Sequence, residues 1–200
     1  MNKLPNNYYT IIRWCFYMKT LTYKRIIIIS CLLSIILGIF LHFAYDLSNE
    51  NILVGLISPV NESIWEHLKL IFVPFTLFGI IFYFYTKDKL TNTLLNTFLG
   101  NIVGMFLTVA VFYLFNNLLN IKSMLVGILS YTIGLIFAYT IFYLGIYNAT
   151  FKNETSNSNI LGVCTLTLMF VLFITSTCSP IKSNIFQDPI TKTYGIYNRS

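Results

Sequence analysis

The chain has 200 residues, 56% of them apolar and 10% charged, with 13 bases, 7 acids and a formal net charge of +6. A soluble domain carries roughly 25% charged residues, so the composition excludes an ordinary soluble enzyme, a disordered chain and a fibrous repeat. It places the chain among integral membrane proteins.

In chain order, residues 1–24 form a basic segment with Lys3, Arg13, Lys19 and Lys24 and no acid, and Arg25 follows. Tyr8 to Tyr17 is aromatic-rich and too short to span; it either lies at the membrane interface or precedes a true start at Met18. Ile26 to Tyr45 then runs 20 residues without a charge and holds 13 Ile, Leu or Phe. At roughly −0.3 to −0.6 kcal/mol each at mid-membrane, these contribute about −4 to −8 kcal/mol to insertion. No small-residue cleavage site follows Leu41, so the pattern is that of a signal-anchor. Four more charge-free runs follow, at 70–86, 90–121, 123–151 and 155–181. About 20 apolar residues cross a bilayer as a helix. The expected fold class is therefore all-α, an integral membrane bundle of five transmembrane helices. The spans are placed at 25–45, 68–86, 95–119, 124–147 and 160–178, within a domain over 25–178. Residues 179–200 are a polar C-terminal tail with Pro180, Pro189 and Gly195.

Charge sets the orientation. Asp46 to His67 carries Asp46, Glu50, Glu62 and Glu66 with no base, opposite in sign to the N-terminal segment. The positive-inside rule puts the N-terminus in the cytoplasm of a multi-pass cell-membrane protein and the acidic loop outside. Lys87, Lys89 and Lys152 then fall inside and Lys122 outside, for 8 bases inside against 5 outside. The tail also falls outside, which its Lys182, Lys192 and Arg199 weakly oppose. The bases are scattered at span ends and form no single face, so nucleic acid is not an expected partner.

Aromatic clusters at 82–85, 112–115 and 142–147 fit interfacial belts. Lys87-Asp88-Lys89 reads as a tight turn and 153–159 as a polar linker. Cys15, Cys31, Cys164 and Cys178 have no metal or disulfide spacing and read as small buried filler. Gly100 and Gly104 form a G-x-x-x-G in the third span, and Ser130, Gly134 and Ala138 form a small-residue stripe in the fourth. Such residues let helix backbones approach closely, here within the chain's own bundle; a homodimer or a membrane partner is the alternative. Asn96 and Asn101 in the third span are costly in lipid and must face protein, bonding across helices.

The distinctive stretch is Ser58 to Leu70, SPVNESIWEHLKL. Pro59 breaks the chain direction, Asn61 is the N-cap candidate, and Glu62 would sit in the first turn. Glu62 and Glu66, four apart, are expected on one helix face, with Lys69 in reach of Glu66. His42 and Asp46 are four apart at the outer end of the first span. Four of the 7 acids and both histidines of the chain fall between 42 and 67. His42, Asp46, Glu62, Glu66 and His67, with Asn61, are therefore the ligand- or proton-binding candidates, and the first five are the metal-ligand candidates. No H-E-x-x-H is present. The structural alternative is a helix cap, interfacial Trp65 and His67, and a Glu66–Lys69 surface pair.

The same residues carry a resemblance. His42 to Asp46, then Val54 to Leu70, with the tail elements Ile185 to Pro189 and Tyr194 to Ile196, resemble a family of small multi-pass bacterial membrane proteins, the domain-of-unknown-function family 6512. The likeness runs from about Met18 to the end, and it implies a helical membrane protein with no catalytic residues or cofactor to carry over. The family pattern has Gly after the Thr of the tail; here Lys192 precedes Thr193.

Three functions stay open. One is a polar pocket at the outer membrane edge that binds or passes a small ligand or ion. Another is a membrane-embedded, metal-dependent enzyme acting at the interface. The third is a structural or accessory subunit. The sequence names no cofactor. In the first reading, Phe186 and Asp188 of the tail fold over the mouth of the Ser58–Leu70 segment.

Overall fold

The computed structural model describes residues 6–87, 90, 92–121, 123–149 and 157–196; for 6–20, 124, 148, 149 and 157 only the backbone is described. Lys3, Asp88, Lys89, Lys122, Lys152, residues 153–156 and Arg199 lie outside the described residues.

The chain folds as helices α1 (Asn6–Leu47), α2 (Ile52–Gly55), α3 (Ile64–His67), α4 (Lys69–Thr86), α5 (Thr93–Tyr113), α6 (Met124–Ala149) and α7 (Asn157–Cys178). A π-helical turn, Leu114–Leu118, ends α5. No strand occurs among the described residues, only an isolated antiparallel bridge between Gln187 and Tyr194 in the tail. Five segments are long and apolar enough to cross a membrane: Leu21–Leu47, Ile64–Thr86, Thr93–Leu118, Leu125–Tyr147 and Ser158–Cys178. The all-α, five-span architecture is thus the fold. Its second and third spans start at Ile64 and Thr93, earlier than the 68 and 95 expected from the sequence. The second begins at Ile64 because Glu66 and Lys69 enter the bundle as a pair. α7 begins inside the stretch read as a linker, at Asn157. α1 is continuous from Asn6, so at about 1.5 Å per residue it is about twice as long as a ~30 Å hydrocarbon core requires.

The centre of the bundle is aromatic. Ile71, Phe72, Phe75, Leu135, Ala138, Phe142 and Phe173 are almost fully buried. Phe75 meets Tyr139 edge-on at 4.7 Å, and Phe82 meets Phe142 at 5.3 Å. Phe82 and Phe142 are therefore core residues and not belt residues; Phe84, Tyr85, Tyr113 and Tyr147 are exposed members of these clusters. The outer faces are apolar, with Ile28, Ile36, Phe106, Leu125 and Leu168 exposed. Apolar surface on every spanning helix is what lipid contact requires, and the chain is a multi-pass membrane protein.

α5 and α6 pack along their small residues. A Cβ at Gly104 would stand 3.0 Å from the Gly134 carbonyl oxygen, and one at Gly134 would stand 2.7 Å from that of Gly104. A Cβ at Gly100 would stand 2.8 Å from the Ala138 carbonyl oxygen. The Ser130 carbonyl accepts from the Thr108 hydroxyl at 3.2 Å. Asn101 donates across to Thr76 of α4 at 2.9 Å, while Asn96 lies over Gly145 of α6. α1 is tied to α6 through Ser34, whose hydroxyl is 2.7 Å from the Tyr139 hydroxyl and whose carbonyl accepts from Tyr131 at 2.8 Å. The cysteines depart from the filler reading: Cys164 and Cys178 are exposed, Cys31 is half-buried, and the Cys15 side chain lies outside the described residues.

Candidate functional site

The loop from Ser48 to Ser63 returns the chain from the end of α1 to the start of α3. Asn49 and Glu50 take left-handed φ of 55° and 58° to begin the reversal. Asn51 caps α2 by accepting from the Leu53 N–H at 2.9 Å. Ser63, not Asn61, caps α3: its hydroxyl accepts from the Glu66 N–H at 3.3 Å. Asn61 stands two residues too early, and its side chain instead accepts from the Ser63 N–H at 2.9 Å. The Ser63-x-x-Glu66 spacing is a capping signal that sequence reasoning missed.

Because α3 starts at Ile64, Glu62 lies before the helix, and the four-residue spacing does not put it on Glu66's face. Within α3, successive side chains are rotated by about 100°. Trp65, Glu66 and His67 therefore face three different surroundings, and the expected five-residue gathering splits.

Glu66 enters the bundle. Its carboxylate pairs with Lys69 at 2.6 Å, with both side chains essentially inaccessible. It also accepts from the Val60 N–H at 3.2 Å and the Thr177 hydroxyl of α7 at 2.8 Å. Lys69 completes its shell on the carbonyls of Gly55 at 2.8 Å and Ser58 at 3.2 Å. This is a buried knot joining α2, α3, α4 and α7, where a surface pair was the alternative. Glu66 is not among the groups that gather with the histidines.

His67 faces the other way, toward α1. Its Nε2 is 3.3 Å from a Glu62 oxygen, and its ring centroid is 5.1 Å from that of His42. One ring nitrogen of each histidine and a Glu62 oxygen lie within 4.8 Å of one another. The His67 Nδ1 is 2.9 Å from the Ser63 carbonyl oxygen, so it carries a proton and donates. The His42 Nδ1 is buried and makes no hydrogen bond among the described residues. When protonated, His67 donates from Nε2 to Glu62 and holds its carboxyl below the ordinary value against the upward pull of burial. Asp46, one turn beyond His42, is exposed and stands outside the three-residue cluster.

The three groups line one wall of a cavity of about 360 Å³ between α1, α3, α4, α5 and α6. Leu68, Leu70, Val109, Phe112 and Ile128 make it largely apolar. Gly127 lines it as well, and a Cβ there would meet nothing within 4 Å. Gly38 leaves room beside it for the Tyr131 hydroxyl.

The tail closes over this end of the bundle. The Trp65 N–H donates to the Ile185 carbonyl at 3.0 Å, and the Trp65 ring packs on Phe186 at 4.8 Å. The Trp65 indole N–H donates to Ser176 at 2.6 Å. Asp188 accepts from the N–H groups of Ile190 at 2.7 Å, Thr191 at 3.0 Å and Glu62 at 3.2 Å. Burial pushes its carboxyl up, but those three N–H groups outweigh it and hold it below the ordinary value. Asn61 donates to the Gly195 carbonyl at 3.1 Å, and the Ile196 N–H donates to the Thr177 carbonyl at 3.1 Å. Pro189 and Ile190 thereby become part of the cavity wall. Phe186 and Asp188 do meet the Ser58–Leu70 segment, as the tail hypothesis required. Thr177, Ser176 and Ile190 carried no signal in the sequence, because their roles exist only once α7 and the tail are docked.

Five apolar helices around a buried aromatic core, with an acidic connecting loop and a docked tail, define a helical multi-pass membrane protein. A family of unknown function (DUF6512) matches residues 16–196, and the chain belongs to that family. No curated protein and no solved structure matches significantly.

Proposed function

We propose that this is a cell-membrane protein, with its N-terminus in the cytoplasm, whose outer edge holds a pocket that binds a small ligand or ion. The observation that carries the reading is the wall of His42, Glu62 and His67 on an otherwise apolar cavity of about 360 Å³. Ligand sites are concave, mostly apolar, and carry a few convergent polar groups. An ionisable cluster at a membrane edge has a cost that a purely structural cap does not need. The orientation rests on the basic N-terminal segment against the acidic 46–66 loop.

Native mass spectrometry of the protein extracted from its own membranes tests this, with Gly127→Phe as the cavity-filling variant. A retained adduct in the wild type that is lost in Gly127→Phe is expected. No adduct, or equal adducts in both, would refute the pocket. A metal-dependent enzyme acting at the interface is the second reading, favoured by the donor set of two histidines and one carboxylate.

A further inference from the structure

We infer that His42, Glu62 and His67 form a binding site for one divalent transition-metal ion of zinc-like preference, with an open coordination position toward the apolar cavity. The inference rests on the pocket reading and names what its polar wall holds.

The proton count at His67 points to a cation. Its Nδ1 donates to the Ser63 carbonyl, which leaves Nε2 as a bare lone pair in the neutral ring. That lone pair faces a Glu62 oxygen at 3.3 Å. Two acceptors at this distance need a positive occupant, either a proton or a metal ion. His42 adds to this. One of its ring nitrogens lies within 4.8 Å of the same pair, and its Nδ1 is buried with no hydrogen bond among the described residues. A proton shared between His67 and Glu62 leaves His42 unused; a metal ion uses all three groups.

Geometry agrees. Zinc–ligand distances of about 2.0–2.2 Å in a tetrahedron put neighbouring donors roughly 3.3–3.5 Å apart. The His67–Glu62 distance is already there, and closing the 4.8 Å spread takes a shift of little more than 1 Å. The Ser63 carbonyl supplies the hydrogen bond that fixes the tautomer and ring plane of a metal-bound histidine. Ser63 is held as the cap of α3, so the orienting group is rigid. Two histidines and one carboxylate leave one tetrahedral position free, as in sites that bind water or a ligand atom. All three residues line the cavity, so the free position is open to a donor atom of its occupant.

The test uses the full chain in detergent, stripped with a chelator and titrated with Zn²⁺ and with Co²⁺ as a spectroscopic probe. Stoichiometric uptake by the wild type is expected, weakened about a hundredfold or more in Glu62→Gln and His67→Ala and unchanged in Asp46→Asn. His42→Cys guards against misfolding as the explanation. It should keep Co²⁺ bound and add a thiolate-to-cobalt absorption band. Wild-type uptake no greater than that of a His42→Ala/Glu62→Gln/His67→Ala variant, or no new band in His42→Cys, would overturn the site and leave an imidazolium–carboxylate pair. Failure of the two readings is separable. Metal retained with no adduct sensitive to Gly127→Phe removes the pocket alone; an adduct lost in Gly127→Phe with no metal removes the metal site alone.

Discussion

Lys69→Met is the sharpest perturbation the fold offers. The Lys69 and Glu66 side chains are 0% and 3% exposed and 2.6 Å apart. Removing the ammonium strands a carboxylate that keeps only the Val60 N–H and the Thr177 hydroxyl. Breaking a buried pair from one side costs about 3–5 kcal/mol, and Glu66→Leu should cost a similar amount. Swapping both partners for apolar residues is often neutral elsewhere. Here it is not expected to be, because the pair also holds backbone groups. The Glu66→Leu/Lys69→Met chain leaves the Val60 N–H unpaired at about 1–3 kcal/mol and removes the donor from the Gly55 and Ser58 carbonyls. The double variant should therefore lose on the order of 2–4 kcal/mol, well short of the sum of the singles, for a coupling of about 2 kcal/mol or more. Denaturant unfolding in mixed micelles, read by tryptophan fluorescence with a circular-dichroism control, gives all three values. A Lys69→Met chain within about 1 kcal/mol of the wild type would mean that water reaches the pair, and the argument from burial would fail.

Gly195→Ala should undock the tail, because φ is +57° and the added Cβ would collide with the Thr177 carbonyl. The backbone cost alone is about 1–2 kcal/mol; amide exchange at Trp65 and Ile196 should accelerate while α5 and α6 stay protected. Acid should loosen the same contact. The docked Asp188 carboxyl titrates below the ordinary value of 3.8, so the released tail binds its proton first. That stabilisation is complete above 3.8 and is lost as pH falls through the lower, docked value. Exchange at the Glu62 N–H should rise on acidification in the wild type but not in Asp188→Asn, after correction for intrinsic rates; tighter docking in acid would contradict the assignment. Gly134→Val should force α5 from α6 and lower thermal stability by several degrees, whereas Gly127→Leu should leave it within a degree or two. Equal losses in the two would argue against the close approach at Gly134.

The sequence by itself determined the class. Insertion into lipid is a sum over apolar residues within one segment, so charge-free runs of bilayer length give five spans without knowledge of neighbours. The small residues of α5 and α6 and the tail's Phe186 and Asp188 were also legible, because each is unusual for its surroundings. Spacing put Lys69 in reach of Glu66, but the tertiary structure alone decided that this pair is buried and that His42, Glu62 and His67 meet without it. Spacing indicated that Glu62 and Glu66 share a face, yet the helix starts between them, and a rotation of about 100° per residue sends Glu66 to Lys69 and His67 to His42. Where a helix begins depends on a cap, and the cap here is Ser63 and not Asn61 because Asn61 turns back on the Ser63 N–H and holds the tail at Gly195. The Glu66 shell draws on residues more than a hundred positions away, at Thr177. Such a partner is fixed by how α7 packs, a long-range outcome that no local pattern of apolar and polar residues encodes.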